Sequence, residues 1–414
     1  MSTSIQIDPA AVERRIIDLA RFGAVGDTGV ARAVYTPEWV AAQDQIAAWC
    51  AEDGLTVRRD AVGNVWGRLD GTEPGPPIVT GSHIDSQTPG GRYDGALGVI
   101  AGVVALGALR AQCGAPRRSL EVVSLCEEEG SRFPSAGFWG SRAIVGLIPD
   151  DLPERIVGYD GTTIADAMRG VGLDPARIPE AKRDDIAAYL ELHIEQGPLL
   201  EQAGLPVGIV TGIVGIREYR VEVRGRADHA GARPIDMRLD PMDGAAAMIE
   251  GVIGVAKRRG RPAVTTVGRI VVEPNFPNIV PERVEFTIDA RHPDPAIRLE
   301  MYAKQEDLMR RIAAERGLGL SLEIFGDLPP HPCDPAIVAA LTAAAEAQGV
   351  PAMAMPSGAA HDAQQIGGLC PIGMVFVQSK DGRSHTPAEF SSVEHCTAGI
   401  ATLAEGLRRL AYEA

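Results

Sequence analysis

The chain has 414 residues, of which 45% are hydrophobic and 23% are charged, and its formal net charge is -15. This length exceeds that of one hydrophobic core and predicts two domains, while the composition excludes a disordered or fibrous protein. The negative charge and the absence of a basic run longer than Lys257 to Arg259 argue against nucleic acid as a partner. An anionic substrate would therefore need local cations.

The cysteines and the amino terminus bear on the compartment. The six cysteines show no CxxC spacing, which is typical of reduced thiols in a cytosolic protein. The first residues contain no apolar segment of the signal-peptide type, and the apolar run from Gly95 to Leu109 is too short to span a bilayer. We therefore expect a cytoplasmic protein that does not bind membranes.

The first half of the chain alternates between helical and strand-like patterns. Helices are expected over residues 8–21, 36–53 and 95–110, and strands over 56–59, 65–69, 77–82, 120–126 and 189–193. This alternation predicts an α/β fold, with a central, mostly parallel sheet flanked by helices.

From about Gly215 the pattern changes to strand 216–224, helix 241–259, strands 263–272 and 283–290, helix 295–316 and strand 319–325. The order β-α-β-β-α-β is that of a ferredoxin-like α+β domain. A helix over 335–348, a strand over 373–378 and a terminal helix from about Ser392 then return to the first pattern. The sequence thus predicts a larger domain of residues 1–214 and 327–414, into which residues 215–326 are inserted.

Candidate catalytic side chains follow predicted strands. In GSHIDSQTPGGRYDG, His83 and Asp85 end a strand and Asp94 precedes a helix, and strand ends are where α/β sheets bind ligands. His83 and Asp94 could share a cation, with Asp85 accepting the other ring N–H of the histidine. Without further context, a structural histidine and a helix N-cap explain the same residues.

Three further segments have the same character. Glu127 to Glu129 follow the apolar strand LEVVSLC, His193 ends the strand LELHI, and His385 follows the strand MVFVQ. Neighbouring side chains at a strand end point in opposite directions, so one glutamate can bind a metal while the next reaches a water molecule. A solvated acidic turn is the alternative for the glutamates.

Together, these histidines and carboxylates form a nitrogen and oxygen set that suits two zinc, manganese, cobalt or nickel ions, with Asp94 as the candidate bridge.

Seven motifs then identify a resemblance. GSHIDSQTPGGRYDGALGV, EEEGSRF, ELHIEQGP, DHAGARP, PNIVP, SGAAHDA and SHTPAEF, in this order between about residues 60 and 395, resemble those of the M20-type metal-dependent amidohydrolases. Within this group the chain is similar to N-carbamoyl-L-amino-acid hydrolases, allantoate amidohydrolases and β-ureidopropionases.

The resemblance implies roles for the site residues. His83, Asp94 and His193 would hold one metal ion, Asp94, Glu129 and His385 would hold a second, and Glu128 would act as the general base. It also implies that the larger domain is catalytic and that the inserted domain is a lid, which commonly forms the contact of a homodimer. Zinc or manganese is the expected metal, with cobalt or nickel as alternatives.

Substrate-side positions also follow from the resemblance, at Gln196, His229, Asn278 and Arg291. Arg291 has independent support, because strand alternation places it opposite the apolar face that Phe286 shares, where its guanidinium could bind a substrate carboxylate. A surface ion pair is its alternative. His229 could stabilise an oxyanion, in its own subunit or across a dimer interface, although turn chemistry also explains His229 and Asn278. His361 is expected to line the site or support a loop.

The expected activity is hydrolysis of a ureido amide bond in a small anionic substrate, with release of ammonia and carbon dioxide. Two departures from the family pattern, Ala360 and Thr386, leave the choice of substrate open. A peptidase or aminoacylase of the same architecture is one alternative. A catalytically silent protein that binds metal or a partner is another, and the intact Glu128 and metal-ligand set argue against it.

Overall fold

A computed structural model describes residues 4–413 of the chain. They form two compact units: one contains the residues up to Thr211, Pro332–Met355 and the residues from His361 onward, and the other contains Gly212–His331 and Pro356–Ala360. Each unit has its own hydrophobic core. The short segment Pro356–Ala360 joins the second unit, which the sequence patterns did not predict.

The elements in chain order are as follows. The first part of the chain contains α1 (Pro9–Ala20), β1 (Ala24–Val25), β2 (Gly29–Val30), α2 (Pro37–Glu52), β3 (Thr56–Arg59), β4 (Val65–Leu69), β5 (Ile78–His83), α3 (Ala96–Cys113), β6 (Leu120–Leu125), α4 (Trp139–Ile144), α5 (Leu152–Arg155), α6 (Ile164–Gly170), β7 (Ala188–Ile194), α7 (Leu199–Ala203) and β8 (Val207–Ile213). The middle part contains β9 (Gly215–Arg224), β10 (Asp228–His229), α8 (Pro241–Arg259), β11 (Val264–Thr266), β12 (Ile270–Glu273), β13 (Ile279–Val280), β14 (Arg283–His292), α9 (Pro295–Glu315) and β15 (Gly319–Leu328). The last part contains β16 (His331–Pro332), α10 (Pro335–Ala347), β17 (Ala352–Ser357), α11 (Asp362–Ile366), β18 (Ile372–Val377) and α12 (Val393–Arg408).

Local chemistry explains where the long helices begin. Five of them start with a capping side chain followed by proline, and the capping residues are Asp8, Thr36, Asp240, Asp294 and Asp334. Each capping oxygen accepts an N–H of the first turn, and proline at the first helical position lacks an N–H that would have no partner there. These starts therefore follow from the sequence alone.

The large sheet of the first unit is parallel in its centre and antiparallel towards its edges. Its main path runs β8-β18-β7-β5-β6-β4-β3. The pairings β18–β7, β7–β5 and β5–β6 are parallel, whereas β8, β4 and β3 join antiparallel. The predicted α/β class with a mostly parallel centre is confirmed, and the edges make the sheet a mixed one. Strands β3 and β4 are antiparallel because only a short loop connects them.

Helix α3 is longer than the sequence suggested. By length and composition alone it could cross a membrane, although more than half of it is buried in the first unit. It packs against β5, β6 and β7 of the sheet and against the helices α1, α2 and α12. A helix that is buried in a protein core is apolar on most of its surface. The burial of α3 in the first unit therefore explains its apolar composition.

The second unit has the predicted ferredoxin-like topology. Its sheet runs β15-β9-β14-β11, and β12 also pairs with β14. All of these pairings are antiparallel, and α8 and α9 pack on one face of the sheet, against each other. The predicted second strand of this domain is divided into β11 and β12.

The alternation predicted for β14 is confirmed. Val284, Phe286, Ile288 and Ala290 are buried, while Arg291 on the other face is partly exposed. Phe286 is fully buried in the core of the second unit.

Replacing Phe286 with alanine should lower the free energy of unfolding by about 3–5 kcal/mol, because the aromatic ring leaves a cavity between the sheet and its helices. The neighbouring Thr287→Ala on the opposite face is the control and should cost less than about 1 kcal/mol. Chemical denaturation followed by circular dichroism measures both. Equal losses from the two variants would contradict the assigned faces of the strand.

Candidate active site

The central strands of the first unit bring the candidate residues to one edge of the sheet. His83 is the last residue of β5 and lies beside Leu125 at the end of the parallel strand β6. Glu127 to Glu129 follow β6 directly, and His193 in β7 lies beside Phe376 in the parallel strand β18. Because parallel strands end at the same edge, side chains from four separate segments meet there.

Asp94 lies at the centre of this group. Its Oδ1 is 3.2 Å from Nε2 of His193 and 3.7 Å from Nε2 of His83. Its Oδ2 is 3.7 Å from Nε2 of His385, and that nitrogen is 3.4 Å from Oε2 of Glu129. The carboxylate of Asp94 thus faces three imidazoles with its two oxygens.

Two sets of three ligands share Asp94. His83, Asp94 and His193 offer ligand atoms within 4.8 Å of one another, and so do Asp94, Glu129 and His385. Imidazole nitrogens and carboxylate oxygens at this spacing fit divalent zinc or manganese. The structure therefore brings together all five residues that the sequence singled out as metal ligands, from five separate positions in the chain.

Two histidines contact Asp94 through Nε2, and their other ring nitrogen, Nδ1, lies against a main-chain oxygen. Nδ1 of His83 lies 3.0 Å from the backbone oxygen of Asp85, and Nδ1 of His193 lies 3.0 Å from that of Ile194. We expected the carboxylate of Asp85 to serve His83, but it is 3.7 Å from that nitrogen. It instead accepts the backbone N–H of Glu129 at 3.1 Å, so Asp85 connects the segments after β5 and β6.

Glu128 lies next to the two ligand sets. Its side chain is 11% exposed, and its Oε2 is 3.6 Å from Nε2 of His83. Burial and the nearby carboxylates of Glu129 and Asp362 raise the pKa of Glu128 well above its usual range. A carboxyl group in such surroundings holds a proton more readily than one in water.

The electrostatics of the site favour a bound cation. Burial, Asp94 and Asp85 raise the pKa of Glu129 well above its usual range. Burial alone would lower the pKa of His193, but Asp94 raises it to about 9. Within residues 4–413, no lysine or arginine forms an ion pair with Asp94, Glu128 or Glu129. Histidines are thus their only ion-pair partners in this part of the chain, and a divalent cation would offset the remaining negative charge.

The backbone around the site is held in uncommon conformations. Gly95 has a φ of +61°, and a Cβ there would lie 2.3 Å from the ring of His83. Glu127, Gln196 and His385 also have positive φ angles of 50°, 56° and 56°. For residues other than glycine this region costs free energy and is concentrated at functional sites.

Several residues of the site were not identified from the sequence. Buried Glu191 accepts hydrogen bonds from Oγ of Ser82 at 2.7 Å and from N of Ala363 at 3.0 Å. Buried Asp362 accepts a hydrogen bond from Ser141. Glu191 is two residues before His193 in the same strand, so a period of two could have indicated it. Nothing in the local pattern around Asp362 distinguishes it.

Loop residues also contact Asp94, and two of them, Ser384 and Glu389, were not identified from the sequence. Gln196 was expected to face the substrate, and its Nε2 donates to Oδ2 of Asp94 at 2.8 Å. Ser384 donates to the same oxygen. Glu389 accepts the backbone N–H groups of Tyr93 at 2.8 Å and Asp94 at 2.9 Å. Glu389 belongs to the motif SHTPAEF, in which the sequence analysis assigned a role only to His385.

His361 lies against the histidine of β7. Its ring centroid is 4.6 Å from that of His193, and 5.6 Å from that of Phe376. The side chain is buried. The structure thus brings His361 to the group around Asp94 within the first unit.

The other three expected substrate residues lie in the second unit. Exposed His229 accepts the backbone N–H groups of Gly231 and Ala232 at Nδ1, both at 3.1 Å. The backbone oxygen of Asn278 accepts the N–H of Ala230 at 3.0 Å.

Arg291 makes a two-point contact with Asp289. Its Nε and Nη2 donate to the two carboxylate oxygens at 2.8 and 2.7 Å, and its Nη1 donates to the backbone oxygen of Gly358 at 3.0 Å. These contacts fix the orientation of the guanidinium, which is 30% exposed. One N–H on each terminal nitrogen remains for a further acceptor.

Comparison with known proteins agrees with the geometry. Residues 79–409 match the profile of Peptidase family M20/M25/M40. The chain belongs to this family. It is 40% identical over 404 residues to an allantoate amidohydrolase of Escherichia coli (strain K12), covering 97% of this chain and 98% of that one. It is 42% identical over 403 residues to an N-carbamoyl-L-amino acid amidohydrolase of Geobacillus stearothermophilus, covering 96% and 97%.

A solved structure shows the same fold. An amidase of the hydantoinase/carbamoylase family from Burkholderia multivorans superposes with a TM-score of 0.90 at 35% identity, covering 97% of this chain and 98% of that one. This M20 protein is accordingly an amidohydrolase, and the M20 family is metal-dependent. The expectations of an M20 family member, an α/β fold with an inserted domain and an enzyme acting on amides are confirmed.

Divalent cations should stabilise the metal-free M20 protein, because they relieve the repulsion among its buried carboxylates. Zinc or manganese at about 1,000 times its dissociation constant should add about 4 kcal/mol per occupied site to the free energy of unfolding. Differential scanning calorimetry would show a higher Tm. Asp94→Ala should abolish this increase, whereas replacement of the exposed Asp307 by alanine should preserve it. An unchanged increase in Asp94→Ala would contradict the assigned site.

Proposed function

We propose that this protein hydrolyses a carbon–nitrogen bond of a ureido amide in a small carboxylate substrate, such as an N-carbamoyl-L-amino acid or allantoate. In the carbamoyl case, hydrolysis of one carbon–nitrogen bond leaves a carbamic acid, which loses carbon dioxide. The products would then be an amine-bearing acid, ammonia and carbon dioxide. The observation that carries this proposal is the position of Glu128 beside two ligand sets that share Asp94. The activities named for its relatives support the ureido class of substrate.

Two divalent metal ions per subunit form part of the proposal. His83, Asp94 and His193 would hold one, and Asp94, Glu129 and His385 would hold the other. Ions at such a site supply Lewis acidity, which polarises a carbonyl group and makes water more acidic. Zinc or manganese suits the nitrogen and oxygen donors, and cobalt or nickel would be accepted as well.

Glu128 is assigned the proton transfers. It takes a proton from the attacking water while the water oxygen adds to the carbonyl carbon, and it gives a proton to the leaving nitrogen as the carbon–nitrogen bond breaks. Its position beside both ligand sets supports both halves of this cycle. Asp85 keeps His83 in place through its main-chain oxygen, and His229 would stabilise the oxyanion.

The remaining polar residues are assigned to the substrate. Arg291, with its orientation fixed by Asp289, would bind the substrate carboxylate. Gln196, Asn278 and His361 would orient the ureido group. These assignments follow the motifs that the chain shares with its family.

Domain roles complete the proposal. We assign residues 1–214 and 327–414 to catalysis and residues 215–326 to a lid whose closure excludes water and which forms the contact of a homodimer. The six cysteines are free thiols, and five of them are buried, which supports a reducing compartment such as the cytoplasm. Nucleic acid and membranes are not expected partners.

Release of ammonia from a panel of ureido compounds tests the function. The metal-reconstituted protein should release ammonia from allantoate, N-carbamoyl-L-amino acids or N-carbamoyl-β-alanine. Dipeptides and N-acetyl amino acids should react more slowly by orders of magnitude, and amine release from them can be followed in parallel. If only the peptides or acylated amino acids are hydrolysed, the ureido assignment is wrong and the protein is a peptidase or aminoacylase.

Replacement of Glu128 by glutamine should lower kcat by about 10²- to 10⁴-fold, because general acid–base catalysis contributes that much. Metal content, measured by mass spectrometry, should remain at the wild-type value. Glu127→Gln is the matched control, since Glu127 is the buried neighbour whose Oε1 accepts the N–H of Phe133, and an amide oxygen preserves that contact. Wild-type turnover in Glu128→Gln would remove this residue from its role.

A further inference from the structure

The loop that follows β18 contains His385 and a glutamate that the proposed mechanism does not use. Glu389 lies four residues after His385, and its side chain is buried, with 3% of the residue exposed. Among the described residues it forms no ion pair with lysine or arginine. A buried carboxylate without a cationic partner needs hydrogen-bond donors around it. The donors around Glu389 identify the segments that it holds together.

The donors come from the two segments that carry Asp94 and His385. Oε1 of Glu389 accepts the backbone N–H groups of Tyr93 at 2.8 Å and Asp94 at 2.9 Å. Oε2 accepts the hydroxyl of Ser384 at 3.1 Å. Asp94 and Glu389 are 295 residues apart in the chain. One carboxylate thus connects the segment before α3 with the loop after β18.

Ser384 connects the same two segments through side-chain contacts. Its hydroxyl contacts Oδ2 of Asp94 as well as Oε2 of Glu389. Asp94 is therefore held at its backbone N–H by Glu389 and at its carboxylate by Ser384. Both contacts come from the loop that contains His385.

A glycine makes room for this carboxylate. A Cβ on Gly91 would lie 2.3 Å from Oε1 of Glu389 and 2.4 Å from its Cδ. Real Cβ atoms do not approach other heavy atoms so closely, so any side chain at this position would displace the carboxylate. The segment before α3 therefore contains both the donors and the space that Glu389 requires.

We infer that Glu389 is a positioning residue, which holds Asp94 and the loop of His385 at the separation that a shared metal ion requires. The inference rests on the proposed function, in which Asp94 and His385 bind the same ion. Residues that orient metal ligands in this way typically change metal affinity by about 10- to 100-fold when they are replaced. Glu389 acts through its neighbours and does not itself contact the reacting atoms.

The ion that His385 holds depends most on this connection. His83 and His193 belong to strands β5 and β7, whose ladders with neighbouring strands fix them. His385 lies in a loop, has a φ of +56° and is 50% exposed at its side chain. Loss of Glu389 should therefore weaken binding at Asp94, Glu129 and His385 more than at His83, Asp94 and His193.

Isothermal titration calorimetry of the metal-free, full-length protein with zinc tests this inference independently of turnover. The wild type should bind two ions. Glu389→Ala should lower the affinity for one of the two ions by about 10- to 100-fold. Glu389→Gln should bind both with nearly wild-type affinity, because its amide oxygen accepts the two N–H groups and its amide nitrogen donates to Ser384. Gly91→Ala should reproduce the loss seen in Glu389→Ala, although it leaves Glu389 in the chain.

Gly107→Ala provides the matched control. A Cβ on Gly107 would lie 2.8 Å from Oδ2 of Asp53, so this variant also presses a methyl group against a carboxylate of the same unit, further along α3. Its zinc affinity should equal that of the wild type.

Three results would overturn the inference: wild-type affinity in Glu389→Ala, wild-type affinity in Gly91→Ala, or an equal loss in Gly107→Ala. A wild type that binds fewer than two ions would instead overturn the two-metal part of the proposed function, so the two failures are distinguishable.

Discussion

The free-energy cost of burying negative charge is the constraint on which the rest of this structure depends. Asp94, Glu128 and Glu129 lie close together and largely away from water, and their ion-pair partners in the described part of the chain are histidines. Burial disfavours the charged form of each carboxyl group, and neighbouring carboxylates add repulsion. A divalent cation offsets both effects. The same electrostatics that oppose folding of the metal-free chain thus create affinity for metal.

The sheet meets this constraint by geometry. Parallel pairing of β5, β6, β7 and β18 places the ends of four strands at one edge. His83 and His193 therefore lie on strands, while Asp94, Glu129 and His385 lie in the segments that follow strands. The loops between them then adopt uncommon backbone conformations, with positive φ at Gly95 and His385. Glu389 holds the segment before Gly95 to the loop of His385 through the backbone N–H groups of Tyr93 and Asp94.

Much of the fold was predictable because its signals are local. The cap and proline pairs begin five helices, alternation along β14 identifies its buried face, and the order of elements in the second unit identifies its topology. Short elements such as α5 and α7 gave no such signal, since four or five residues are too few for a period to appear. The division of one predicted strand into β11 and β12 falls at Gly268, and a glycine inside a strand pattern is a local signal for such a break.

The sequence by itself determined the family, the α/β class with its inserted domain and the residue types of the metal site, because motifs, caps and periodicities are properties of neighbouring residues. Tertiary structure alone decided which atoms meet. It showed that the main-chain oxygen of Asp85, and not its carboxylate, serves His83. It also showed that Glu389 accepts N–H groups from a segment 295 residues away. Such contacts depend on how distant segments pack, and no local pattern encodes that.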